Sequence, residues 1–306
     1  MILPTWFLIA LLGHLANGAA FIIDKTLLRS SFSRPATYAG IIGMIGVLAL
    51  VLIPFGVTAP DAMGWFWMIL SGAAFTLSLW AFFTALSAGE ASRVVPVIGS
   101  LIPILTLAAT AMFLGERLRS DQFLGFIFLV IATIILSGGA AKSRLRPATI
   151  GIAVLAATTF AFSSVTAKIA YDGYGFLTTF TISRLAGVAA AILILNIDKR
   201  ALAEVRQVFF GGRGSSRKGN GHAAALVITA QTLGGLGFVG VQYATSLGSA
   251  ALVNALQAVQ YALLVLVAFV LRKSAPKLLG EDPRTRTVLR KCAAIALTFI
   301  GLWLVV

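Results

Sequence analysis

Ten long apolar runs separated by short polar gaps leave this chain little choice of fold. They fall at about 6–27, 36–55, 65–86, 91–114, 122–136, 150–171, 176–195, 223–244, 250–271 and 289–306. No water reaches a bilayer core, so every amide and carbonyl there must be satisfied within the segment, which makes each long run a helix. About 20 residues span the hydrocarbon. The small-residue break Ser87-Ala88-Gly89-Glu90 divides a run too long for one span. The expectation is an all-α integral membrane protein of ten transmembrane helices.

Composition agrees, with 59% hydrophobic and 11% charged residues against about 25% charged in soluble domains. The formal charge of +14 would suggest nucleic acid if the cations gathered on one face. Instead they crowd into the gaps between apolar runs, with no aromatic–basic interleaving, so nucleic acid is excluded as a partner. The single cysteine, Cys292, allows no internal disulfide and no cysteine metal cluster. The first run has no preceding basic residue and no good cleavage site, and reads as a retained span.

The spacing of the runs repeats. Five spans are followed by a basic gap at 142–147, and then by five more. Lys25 and Lys168 each lie near the end of the first span of a half, and TALSAGEASRVV (84–95) resembles YATSLGSAALVN (243–254). Five is odd, so the second copy enters the membrane from the opposite side. The expectation is two inverted five-helix repeats, 1–141 and 148–306, with polar loops at 196–221 and 272–288. Inverted repeats are a recurrent layout of secondary transporters, with the site at mid-membrane between the halves.

Orientation follows from the cations. Outside the spans, only Arg117 and Arg119 lie in gaps after even-numbered spans; the other basic residues lie in or against gaps after odd-numbered ones. The latter gaps are expected in the cytoplasm and both termini outside, in the periplasm of an inner-membrane protein. Residues 198–210 read as an interfacial amphipathic helix. That segment, the stretch 211–221 and the stretch 274–287 are expected to meet anionic lipid headgroups.

Ionisable groups inside spans are expensive, at least about 2.5 kcal/mol at mid-helix, and mark candidate sites. Lys25, Lys168 and Arg184 are the cations placed within spans, Arg93, Arg290 and Lys291 lying at run ends against gaps after odd-numbered spans, while no acidic residue sits at the middle of a span. Arg184 has no acidic neighbour one turn away, and a guanidinium can grip carboxylate or phosphate bidentately. The plainer alternative is a snorkelling side chain. Asn254, Gln257 and Tyr261 share one face of span nine, and His14 and Asn17 one face of span one. These two polar stripes, with Trp80 as an aromatic wall, read either as a substrate path or as interhelical hydrogen bonding. Pro96 and Pro103 lie inside the fourth span, where each frees a carbonyl and can bend the helix. Gly40, Gly43 and Gly46, spaced by three, suggest close helix packing.

Enzyme signatures are absent: no P-loop, no dinucleotide glycine motif, no HExxH and no GxSxG. With only His14 and His222, a histidine metal site is excluded. No cofactor or metal is expected.

The stretch 85–103, with its tight turn and two prolines, leads into LAATAMFLGERLRSDQFLGFIFLVIATIIL (107–136). Gly115-Glu116-Arg117 followed by Gln122 and Gly125 looks like an end-of-span-four signature. With these residues the chain resembles the EamA-type, ten-helix members of the drug/metabolite transporter superfamily. The second half departs from the pattern: Ala255 and Ala262 stand in the places of Pro96 and Pro103, and Arg272-Lys273-Ser274 replaces the glycine–glutamate. The resemblance implies a small-metabolite carrier with one cavity between the repeats. Members often place both termini in the cytoplasm, the reverse of the orientation that the cations give here.

The reading is a non-enzymatic secondary carrier of a small anionic or zwitterionic metabolite, amino-acid-like or phosphorylated, working as a monomer or weak homodimer. The coupling ion is unassigned. A lipid or lipid-phosphate translocase is the alternative within transport, and a non-transporting receptor or scaffold the alternative outside it.

Overall fold

The computed structural model describes residues 3–27, 34–137, 145–210, 221–270 and 285–306, and every regular element in them is helical. The helices are α1 (Thr5–Leu27), α2 (Pro35–Ile45), a 3-10 helix (Gly46–Phe55), α3 (Ala62–Ala88), α4 (Ala91–Phe113), α5 (Ser120–Ser137) and α6 (Pro147–Tyr174). They continue as α7 (Phe176–Ile197), α8 (Lys199–Phe210), α9 (Gly221–Leu247), α10 (Ala250–Ala255), α11 (Gln257–Val270) and α12 (Thr285–Val305). Eight segments among the described residues are long and apolar enough to cross a membrane: α1, α2 with its 3-10 continuation, α3, α4, α5, α6, α7, and α10–α11 taken together. The expected eighth and tenth runs lie in α9 and α12. Lys142, Ser143 and Arg144 of the basic gap, and the stretches 211–220 and 271–284, lie outside the described residues.

Two runs are less regular than their sequences suggest. Span two begins as α-helix at Pro35, which costs little at a first turn, and tightens to 3-10 at Gly46. Span nine is interrupted at Leu256, where the amide of Val259 bonds back three residues to the Leu256 carbonyl at 2.9 Å. Span four, by contrast, stays one helix from Ala91 to Phe113 although Pro96 and Pro103 lie within it. The interruption therefore falls in the half that lacks the prolines.

Packing joins the two halves throughout. The α1 helix runs along α9, and α3 along α6; α4 packs on α6, and α11 on α1; α2 packs on α7, and α5 on α12. Exchanging the halves maps each of these pairs onto another pair or onto itself. Among the described residues α3 also packs on α7 without a comparable α9–α2 contact.

The expected glycine spacing has a visible consequence on α7. A Cβ at Gly40 would come within 2.7 Å of Leu195, one at Gly43 within 2.6 Å of the Ala191 Cβ, and one at Gly46 within 2.7 Å of the Arg184 carbonyl. From the other side, a Cβ at Gly72 of α3 would collide with the Ser183 carbonyl. The backbone around Ser183 and Arg184 is thus clamped between spans two and three by residues without side chains. Thr76 adds a hydrogen bond from Oγ1 to the Gly187 carbonyl at 3.1 Å.

Two other glycines are required by backbone conformation. Gly115 has φ +65°, which turns the chain so that the Glu116 amide bonds back to the Thr110 carbonyl at 3.2 Å and closes α4. This is what the glycine of the Gly115-Glu116 pair does. Gly175 has φ +74° and alone separates α6 from α7.

The segment expected as an amphipathic helix forms α8. Its apolar stripe, Ala201 and Val205, is buried against Ala36, Ile194 and Leu195. Asp198 caps it, accepting from the amides of Ala201 at 3.1 Å and Arg200 at 3.2 Å, and pairs with Arg34 at 3.1 Å. Thr37 Oγ1 donates to Glu204 Oε2 at 2.6 Å.

Gly72→Val should force α3 off α7 and cost about 1–3 kcal/mol of stability, read as a lower midpoint in fluorescence-detected thermal unfolding. The Ala201 amide first, and then Arg34, hold the Asp198 carboxyl below its ordinary pKa of 3.8. A depressed carboxylate stabilises above its unfolded pKa and loses that contribution as the pH falls through the folded one. Asp198→Asn should therefore lower stability at pH 7 by about 0.2–1 kcal/mol, the scale of a part-exposed pair. The difference from the unmutated protein should close as the pH falls below 3.8.

Candidate functional site

Arg184 sits on α7, inside the bundle, with its guanidinium among aromatic rings from three helices. Its Cζ lies 4.3 Å from the ring centre of Phe75 on α3, 4.9 Å from Phe238 on α9 and 5.8 Å from Phe180 on α7. The Nε atom is buried and has no hydrogen-bond partner. No carboxylate among the described residues pairs with it. Each ring face attracts the cation by about 0.5–2 kcal/mol. A π face, however, does not replace the in-plane acceptors that five N–H donors require. The arrangement holds the guanidinium in place and leaves Nε unsatisfied.

Polar groups surround this cage at neighbouring levels. Gln242 Nε2 on α9 donates to Tyr171 Oη on α6 at 3.4 Å. Asn254 Nδ2 donates to Thr106 Oγ1 on α4 at 3.1 Å and to Ser164 Oγ on α6 at 3.3 Å. One side chain of span nine thereby joins spans four and six. Gln257 Nε2 donates to Tyr261 Oη at 3.1 Å on the other side of the helix break. At the break itself, the Val253 carbonyl accepts from His14 Nε2 of α1 at 2.9 Å, while His14 Nδ1 is buried without a partner. Asn17, one turn along α1, lies against Gly237, where an added Cβ would meet its Oδ1 at 2.5 Å.

A cavity of about 770 Å³ opens at the end of the bundle where α6 turns into α7. Thr58, Tyr174, Phe176, Thr178, Val239 and Tyr243 are among its lining residues. Phe176 forms a floor: its ring lies 5.7 Å from Tyr171, 5.2 Å from Phe180 and 4.9 Å from Tyr243. From there aromatic contacts continue past Arg184, from Phe180 to Phe238, Phe75, Phe160, Phe82 and Phe83, ending at Tyr38 near the start of α2.

The sequence-derived candidates thus separate. Arg184, Asn254, Gln257, Tyr261, His14 and Asn17 belong to the interface between the halves. Lys168 reaches instead toward the gap after span six, where its Nζ pairs with Asp172 Oδ1 at 2.8 Å; the two side chains are 16% and 48% exposed. That geometry is the snorkelling alternative. Lys25 ends α1, and its side chain falls outside the described residues. Trp80 packs with the Ala36, Leu195 and Ala201 cluster under α8, not with the Arg184 cage. Pro96 and Pro103 lie in α4, where Pro103 is buried and the Pro96 carbonyl accepts from Ser100 Oγ at 2.7 Å. Sequence reasoning missed Phe75, Phe180, Phe238, Thr106, Ser164 and Tyr171. A phenylalanine in an apolar run has the same pattern whether it faces lipid or a cation, so no sequence signal marked these positions.

A model described as the EamA-like transporter family matches residues 4–138. An uncharacterized transporter in a cobO 3' region of a Sinorhizobium species is 34% identical over 73 residues, 24% of this chain and 51% of that protein. The match thus spans about half the length of that relative. An uncharacterized protein of Methanocaldococcus jannaschii is 31% identical over 97 residues, 32% of this chain and 70% of that protein. A solved crystal structure superposes with a TM-score of 0.64 over 97% of this chain and 98% of the other, at 19% identity, which is a likeness of fold.

An unpaired cation in a low-dielectric interior destabilises the fold that holds it. Arg184→Met should therefore leave the thermal midpoint in detergent unchanged or raise it, by up to about 4 °C per kcal/mol for a chain of this size. A marked drop would assign Arg184 to structure.

Proposed function

Because the chain belongs to the EamA-like transporter family, we propose that it carries a small anionic or zwitterionic metabolite across its membrane, with Arg184 as the anchoring cation. The observation behind this reading is the guanidinium inside the bundle, faced by three phenylalanine rings and with its Nε left without an acceptor. A carboxylate or phosphate would supply two in-plane acceptors and neutralise the charge together. A cationic substrate would meet repulsion, and no deep carboxylate stands by to offset it.

The surrounding geometry supports alternating access. The pairs of helices that exchange of the halves preserves suit two repeats that move as bodies. Discontinuous membrane helices are a recurrent device at transporter sites, because they free backbone groups next to a polar ligand. Span nine is interrupted between Asn254 and Gln257, the residues proposed to orient the polar parts of the cargo. The cavity above Phe176 is the proposed entrance at one face. The Phe176, Phe180 and Tyr171 cluster is the proposed barrier between that entrance and Arg184. The cation distribution supports an inner-membrane orientation with both termini in the periplasm.

Counterflow in proteoliposomes, with carboxylate, zwitterionic, phosphorylated and cationic solutes compared side by side, tests the reading. Flux is expected for one of the first three classes. Arg184→Met should lower it at least about tenfold, the size of effect expected from losing one charge-assisted hydrogen bond. Arg184→Lys should restore part of it. Cation-selective flux, or flux indifferent to Arg184→Met, would overturn the proposal.

A further inference from the structure

A second cavity, of about 510 Å³, lies between α2, α7 and α8, on the side of the bundle where Trp80 packs. Ile45, Leu48, Ile192, Leu195 and Val205 make it apolar, and Asn196 and Arg206 bring polar groups to its α8 side. Leu195 and Val205 are buried and form the floor. Ile45, Leu48 and Ile192 stay open to the outside of the bundle, 47%, 66% and 44% exposed. The groove is found where α2 gives way to the narrower 3-10 helix at Gly46.

Its depth and its charge both point to one kind of occupant. Gly46 lies against the Arg184 carbonyl, so the groove's 3-10 residues sit at the level of Arg184. The α7 segment from there to Asn196 is about 18 Å long. The hydrocarbon of one leaflet is about 15 Å deep. At the α8 end, Lys199 Nζ donates to Asn196 Oδ1 at 3.4 Å, which puts a second cation beside Arg206 at the mouth. Glu204, the acidic residue of α8, is turned toward Thr37. A slot one leaflet deep, apolar along its length and cationic at its rim, fits an acyl chain ending in a negative headgroup.

We propose that this groove is a binding site for an anionic phospholipid, with one acyl chain along Leu48 and Ile192 and the phosphate on Arg206, Lys199 and Asn196. A guanidinium grips phosphate bidentately. A zwitterionic headgroup would bring its own cation to the same rim, so an anionic lipid is preferred. The site stands independently of what Arg184 binds.

Native mass spectrometry of the full-length, delipidated protein titrated with phosphatidylglycerol or phosphatidylcholine reads the site directly. Phosphatidylglycerol should be retained about five-fold better, the effect of one basic residue facing an anionic lipid surface. Arg206→Ala should remove that preference. Arg200→Ala should not, because Arg200 is exposed on the same helix without lining the groove. Ile192→Trp should fill the groove and reduce retention of both lipids, and free glycerol phosphate should not compete. Equal retention of the two lipids, or equal losses in Arg206→Ala and Arg200→Ala, would reduce the groove to ordinary annular contact and overturn the proposal.

Discussion

Solvation of a single guanidinium governs the interior of this bundle. Moving a cation out of water is costly unless acceptors replace the hydration shell. Around Arg184 the replacement is partial. Phe75, Phe180 and Phe238 supply π faces, and Nε has no acceptor. The position is nevertheless rigid, because Gly46 and Gly72 bring spans two and three against the backbone of Ser183 and Arg184. Under the proposed transport reading, a ligand anion completes a solvation shell that the protein leaves open.

Backbone satisfaction sets the second constraint. A helix interrupted within a membrane must find partners for the carbonyls it frees. At Leu256 the partner comes from another element: His14 of α1 donates to the Val253 carbonyl. The side chains flanking the break, Asn254 and Gln257, turn to Thr106, Ser164 and Tyr261. The proline-bearing span four stays continuous, whereas span nine, with alanines in the corresponding places, is the one that breaks. Similar segments have thus taken different local structures in the two halves, and the asymmetry lies beside the candidate site.

At the α8 end the constraint is amphipathicity. An apolar stripe of α8 covers the ends of α2 and α7, with Arg34–Asp198 and Thr37–Glu204 fastening it. Those bonds join residues far apart in the chain and turn Glu204 aside, while Arg206 is left on the rim of the groove. One short helix therefore both seals the bundle and shapes the surface proposed to receive lipid.

The apolar runs alone determined that the chain is helical, that it crosses a membrane repeatedly and that 198–210 lies apart as an amphipathic helix, because hydrocarbon tolerates no unpaired backbone. The same arithmetic singled out Arg184, since a mid-span cation is expensive wherever it faces. The glycine row at Gly40, Gly43 and Gly46 was legible as close packing, but not as a clamp on Arg184. Lys168 and Arg184 are both cations within spans; the pair of Lys168 with Asp172 is local to α6, at i and i+4, whereas only tertiary structure shows that Arg184 is faced by rings from three helices. Which phenylalanines leave the lipid to face a cation, and which helix breaks, depend on neighbours distant in the chain. Side-chain periodicity within one helix reports a face but not what lies opposite it, so those choices belonged to the fold.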